Sequence, residues 1–147
     1  DPRSRGSIHI KSANPNDYPK IVANYLDHFD DQKAIVNGLK MLRKLASQMA
    51  LTKLIKREVR PGAQIEDYDD LLEYAKNTGQ TCWHSVGTCK MGPDENSVVD
   101  LNLKVNGVKG LRIADGSVLP HLVSSNTNAP ILMIGERCSE FVIEEFK

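Results

Sequence analysis

Three stretches of this chain carry apolar residues at helical spacing, and they set most of its architecture. In residues 30–50, Ile35, Leu39, Leu42, Leu45 and Met49 share one face. Lys40, Arg43, Lys44 and Gln48 face away. Asp30 or Asp31 is the expected N-cap, and the pattern predicts a surface helix packed on a sheet. After a break at Pro61-Gly62, Asp67, Asp69 or Asp70 can cap a second helix with Leu71, Tyr74, Ala75 and Thr78 inward. Gly79 is its stop. The third helix spans residues 130–146, with Ile131, Ile134, Cys138, Phe141, Val142 and Phe146 as its buried stripe.

Between and before these helices the signals change to strands and turns. Residues 7–11 alternate polar and apolar, as a half-buried strand does, and residues 21–26 offer a second short strand. Leu101, Leu103 and Val105 alternate with Asn102, Lys104 and Asn106, and Asn106-Gly107 is a two-residue hairpin signal. Residues 110–116 read as a short strand ending in a turn. The mixture predicts an α+β fold.

Charge and cysteines narrow the function classes. The 147 residues contain 19 Lys+Arg against 19 Asp+Glu, so neither nucleic acid nor an anionic membrane surface is an expected partner. The longest apolar run, residues 129–134, is far too short for a transmembrane segment. Three cysteines, Cys82, Cys89 and Cys138, with no C-x-x-C spacing argue against a disulfide framework or a zinc site. They suit a reducing compartment, and a cytoplasmic location is the expectation. The first residue is Asp1, not Met, which reads as a fragment of a longer protein.

Two segments concentrate chemistry. Residues 81–92 gather His84, Cys82, Cys89, Gly87 and Gly92, where glycines allow close backbone approach and a histidine can act as a base near neutral pH. A buried histidine hydrogen-bonded to backbone is the equal alternative. Residues 123–130, rich in amides and hydroxyls, lead into the last helix. Asn126, Thr127 or Asn128 can cap it, with Pro130 in its first turn, and its N–H groups can also receive an anionic ligand. His9 and His28 read as solvated, and His121 as either a surface or a site residue. Cys82, Cys89 and His84 lack the fourth ligand of a zinc site, so no metal is expected.

In order, the chain carries Pro2-Arg3-Ser4-Arg5-Gly6 and then His84-Ser85-Val86-Gly87-Thr88-Cys89-Lys90-Met91-Gly92. Val98-Val99-Asp100, Val108-Lys109-Gly110-Leu111-Arg112 and Ala114-Asp115-Gly116-Ser117 follow, then Asn126-Thr127-Asn128-Ala129-Pro130 and Met133-Ile134-Gly135-Glu136. The ordered set resembles the C-terminal region of the glucose–methanol–choline (GMC) oxidoreductases, its choline-dehydrogenase-like branch in particular. The resemblance implies FAD and oxidation of an alcohol CH–OH group to an aldehyde or ketone, by a dehydrogenase rather than an oxidase. It implies an antiparallel-sheet substrate domain with packed helices in residues 1–107. Residues 108–147 would return to complete the FAD-binding α/β domain with a strand and a helix. By the same resemblance His84 is the base, and Asn126, His in some members, holds the substrate oxygen. Asp115, Gly116, Thr127, Asn128 and Ala129 contact FAD, the last three largely through backbone. The last helix points its N-terminus at the flavin ring. Trp83 walls the substrate pocket or packs in the core.

Two departures matter. Ser85 stands where many members have Pro. No Gly-x-Gly-x-x-Gly follows a strand, so the fingerprint that holds the FAD pyrophosphate is absent from these residues. The implied partners are therefore an N-terminal FAD-binding half, an alcohol substrate and an electron acceptor (a quinone, another acceptor or oxygen). The 147 residues alone are expected to bind FAD weakly or not at all and to have no turnover. The rival reading is a catalytically inactive binding or interaction remnant of the family.

Overall fold

The computed structural model describes residues 2–147. They form two compact units, Pro2–Gln80 and Thr81–Lys147. Among them, no helix is long and apolar enough to cross a membrane.

The first unit opens with an antiparallel pair, β1 (Ser7–His9) and β2 (Lys20–Val22), with Ile8 opposite Ile21. Asp17 gathers the connecting loop, accepting from the Ser12 hydroxyl at 2.7 Å and the Asn14 amide at 3.1 Å. The strands form, but the expected half-burial does not. Ile8 is 42% exposed and Ile10 89%, so the apolar face set aside by the alternation is uncovered in this unit.

Helix α1 (Phe29–Ala46) is capped by His28, not by Asp30 or Asp31. His28 Nδ1 accepts from the Asp30 N–H at 3.1 Å. The two aspartates occupy the first turn, where their charge suits the helix dipole. Asp31 is committed elsewhere: its carboxylate accepts from the N–H groups of Arg3 (2.8 Å) and Ser4 (2.6 Å) and from the Ser4 hydroxyl. Burial pushes its carboxyl up, but the Ser4 hydroxyl, the Arg3 and Ser4 N–H groups and His28 together hold it down at about 2.

The inward face of α1 is rotated from the expected one. Val36 is fully buried, with Gln32, Leu39 and Arg43 half-buried beside it. Ile35, Leu42 and Leu45 are exposed. The chain turns at Ser47, and Met49 begins a separate short helix, α2 (Met49–Thr52). α1 packs against α3 (Tyr68–Thr78), not against the sheet. Leu71 and Ala75 form the buried stripe of α3; Tyr74 is half-buried and Thr78 exposed. Gly79 ends α3 in extended backbone, its N–H donating to the Ala75 carbonyl at 2.8 Å.

Arg43 lies on the buried side of α1. Its guanidinium forks onto Glu58 (Nε–Oε2 3.0 Å, Nη2–Oε1 2.8 Å) and donates to the carbonyls of Ile65 (2.7 Å) and Gly62 (3.1 Å). The side chain predicted to face solvent therefore ties the 58–65 loop to α1. The same guanidinium, its hydrogen bond foremost, holds the Glu58 carboxyl below the usual carboxylate range.

The core of the second unit is Val99, Leu103, Val118 and Ile134. The predicted two-residue hairpin at Asn106-Gly107 does not form full strands: Val108 N–H donates to the Val105 carbonyl at 3.3 Å, one isolated bridge across the turn joins Lys104 with Arg112, and a separate bridge before it joins Val99 with Val105. Val105 N–H donates to the Leu111 carbonyl at 3.0 Å and Ile113 N–H to that of Leu103 at 3.1 Å. A 3₁₀ turn at Gly116–Val118 follows, then α4 (Asn128–Glu145). Ile131, Ile134, Cys138 and Phe141 turn inward as the spacing predicts. Val142 and Phe146, assigned to the same stripe, are exposed. Lys104 (3.0 Å) and Arg112 both pair with Glu145, tying the hairpin to the end of α4.

Candidate functional site around His84

The loop carrying His84 lies along the 3₁₀ turn. Cys89 N–H donates to the Ser117 carbonyl (3.0 Å), Met91 N–H to that of Val118 (2.8 Å) and Gly92 N–H to that of Val99 (3.2 Å). Gly87 permits the approach. Its φ is +86°, and a Cβ there would sit 3.3 Å from the Leu119 carbonyl oxygen. Trp83, directly before the histidine, also has positive φ (56°), and its N–H donates to the Thr81 hydroxyl at 3.1 Å. Its indole is 80% exposed, so the core-packing alternative for Trp83 does not hold in this unit.

His84 itself is half-buried, and its Nδ1 lies 2.9 Å from Thr127 Oγ1. The two candidate segments, 43 positions apart, therefore meet through this contact. The histidine is neither fully buried nor bonded through its ring to backbone. Among the described residues its Nε2 has no hydrogen-bonding partner.

Thr127 is the N-cap of α4 by position but not by bonding. Its backbone is in the helical region (φ −75°, ψ −9°), and its hydroxyl makes no capping bond. At 6% exposure it is, with Ser97, one of two buried polar residues among the described residues. With the hydroxyl committed to His84, the first-turn N–H groups of Asn128 and Ala129 have no side-chain cap, and both residues are exposed. Pro130 contributes no N–H to this turn. Asn126 is exposed too, and its side chain makes no hydrogen bond among the described residues.

Asp115 and Gly116 occupy the 3₁₀ turn. Asp115 Oδ1 accepts from the Ser117 N–H at 2.7 Å, capping the turn. Hydrogen bonding from Ser117 keeps its carboxyl below the usual range and therefore ionised. Gly116 is buried, and a Cβ there would lie 3.0 Å from Ile131 Cδ1. Glycine thus lets the turn close onto the first turn of α4. Sequence reasoning assigned Thr127 to backbone contacts and missed its side-chain bond to His84. Nothing in the spacing of residues 84 and 127 signals that pairing.

The site thus joins a histidine before a glycine-supported loop, a buried threonine on its ring and an uncapped helix N-terminus. The GMC oxidoreductase family pattern matches residues 2–135, and the chain belongs to that family. It is 41% identical over 144 residues to the alcohol dehydrogenase [acceptor] of Pseudomonas putida, covering 98% of this chain and 26% of that protein. It is 38% identical over 139 residues to an oxygen-dependent choline dehydrogenase of Escherichia coli O139:H28, covering 95% of this chain and 25% of that protein. Among solved structures, an FAD-dependent oxidoreductase from Chaetomium thermophilum superposes with a TM-score of 0.88 at 26% identity, over 96% of this chain and 25% of that one. The chain thus spans about a quarter of the length of the curated relatives it matches.

The residues present fit one side of a flavin. The open N–H groups of Asn128 and Ala129, at the positive end of α4, are donors suited to an electron-rich ring edge. The Asp115 carboxylate, ionised at this turn, is an acceptor suited to a sugar hydroxyl.

Proposed function

We propose that this chain supplies the proton-handling part of an FAD-dependent alcohol oxidoreductase that converts a CH–OH group to an aldehyde or ketone. Residues 1–107 join its substrate domain and residues 108–147 its FAD domain. The observation that carries the reading is His84, anchored through Nδ1 on Thr127 with Nε2 unpartnered, in a chain of this family.

His84 takes the proton from the substrate hydroxyl at Nε2. Asn126, whose side chain is uncommitted, donates an amide N–H to the substrate oxygen and steadies the developing alkoxide. An amide does not exchange protons near neutral pH, so the base role belongs to His84. Asp115, Gly116, Thr127, Asn128 and Ala129 hold FAD, the last three by backbone. Bound there, FAD would supply the acceptor for the hydride that the substrate carbon loses. Its pyrophosphate needs a glycine-rich turn this chain does not contain, so an N-terminal half of the enzyme completes the site. A dehydrogenase is favoured over an oxidase by similarity to the Pseudomonas enzyme named as an alcohol dehydrogenase with an acceptor.

The test is steady-state oxidation by the protein expressed from its full reading frame, with His84→Ala beside the parent. The variant should keep its flavin and lose on the order of 10²–10⁴ in kcat. Unchanged turnover would remove His84 from the base role.

A further inference from the structure

We infer that Thr127 is a positioning residue that sets the tautomer of His84. The inference rests on the proposed base role of His84 and deepens it. A neutral imidazole carries its proton on one nitrogen, and only the other can accept a proton from an alcohol. The 2.9 Å separation between Nδ1 and Thr127 Oγ1 allows two arrangements. With the hydroxyl donating to Nδ1, the ring proton sits on Nε2, and His84 presents a donor where a base is required. With Nδ1–H donating to Oγ1, Nε2 keeps its lone pair facing the unpartnered side. The chemistry selects the second.

Three features give Thr127 this task rather than that of a helix cap. Its backbone is helical rather than extended, and its hydroxyl makes no capping bond to α4. The residue is 6% exposed, a burial at which a polar side chain is normally hydrogen-bonded. Among the described residues, the only hydrogen bond of its hydroxyl is the one to His84. After proton transfer the imidazolium has N–H on both nitrogens, and Oγ1 continues to accept from Nδ1. The same contact therefore serves both protonation states without rearrangement.

The experiment compares the parent with Thr127→Val, Thr127→Ser and His84→Gln, each expressed from the full reading frame and loaded with FAD. Valine keeps the shape and removes the acceptor; serine returns it. Turnover is measured alongside ¹⁵N spectra of histidine-labelled protein, with the His84 signals assigned from His84→Gln. The expected parent spectrum has a protonated Nδ1 and an unprotonated Nε2. Thr127→Val should lower kcat about threefold to tenfold, the range one neutral hydrogen bond supports, with KM little changed. Its spectrum should shift toward protonated Nε2, and Thr127→Ser should restore both readouts. A parent spectrum with protonated Nε2 would overturn the inference. So would a Thr127→Val protein with parental kcat and spectrum. If Thr127→Val fails to fold, the parent spectrum and Thr127→Ser decide. If His84→Gln turns over normally, the base assignment falls while the spectra still decide the tautomer.

Discussion

Replacing Arg43 by Met keeps the aliphatic stem of the side chain and removes its five hydrogen bonds to Glu58, Ile65 and Gly62. Their gross energies cannot simply be added, because the Arg43 and Glu58 side chains are each 27% exposed and partly screened. The two bonds to carbonyls contribute about 1 kcal/mol each and the ion pair about 0.5–1 kcal/mol, giving a net loss of roughly 2–3 kcal/mol. The loss falls on the 58–65 loop. The reporter is the Ile65 amide, which donates to the same Gly62 carbonyl at 3.0 Å. In hydrogen–deuterium exchange, its local opening should be favoured roughly 30- to 140-fold at about 1.4 kcal/mol per decade. Glu58→Gln should give a smaller effect, and the double variant should fall short of the sum because the residues touch. Exchange at Ile65 within about threefold of the parent would refute the claim that Arg43 holds this loop.

Asp31→Asn should loosen the amides of Arg3 and Ser4, with exchange about tenfold faster at pH 5. Because the folded carboxyl titrates at about 2, below its ordinary 3.8, its contribution is complete above the ordinary value and lost as pH falls toward 2. Corrected exchange in the parent should therefore rise across that interval, while Asp31→Asn shows no such step. Gly116→Ala should force Ile131 aside at about 1 kcal/mol, since the obstruction is the movable end of a side chain. The Val118 amide, bonded to the Asp115 carbonyl at 3.3 Å, should exchange about fivefold faster at that cost. Parental exchange there would show that the close approach is slack. The 147 residues expressed alone should bind FAD weakly or not at all, and a stoichiometric flavin complex seen by absorbance would contradict that.

The helices were legible because their apolar spacing is strong: α3 and the first three turns of the α4 stripe lie where the pattern puts them. The rotation of α1 was not. Ile35, Leu42 and Leu45 are as apolar as Val36 and Leu39, so apolar spacing does not choose between the faces, and Arg43 on the buried side reaches a loop some twenty positions away. The capping of α1 misled for a similar reason. Asp31 is a good cap by type, but Arg3 and Ser4 recruit it, and His28 takes its place. Long-range partners of this kind leave no periodic trace. At the site, the segments carrying His84 and Asn126 stood out by composition and by family resemblance. Which neighbour holds the histidine ring depended on one side-chain direction at Thr127.

The most direct test of the account is anaerobic mixing of the full-length protein with a panel of alcohols, choline-like amino alcohols included, while the visible flavin absorbance is followed. The account predicts a flavin band that bleaches with at least one alcohol. His84→Gln with the same flavin content should bleach on the order of 10²–10⁴ more slowly. Equal bleaching rates in parent and variant would contradict the role given to His84. A colourless protein that cannot be loaded with FAD would contradict the enzyme reading altogether.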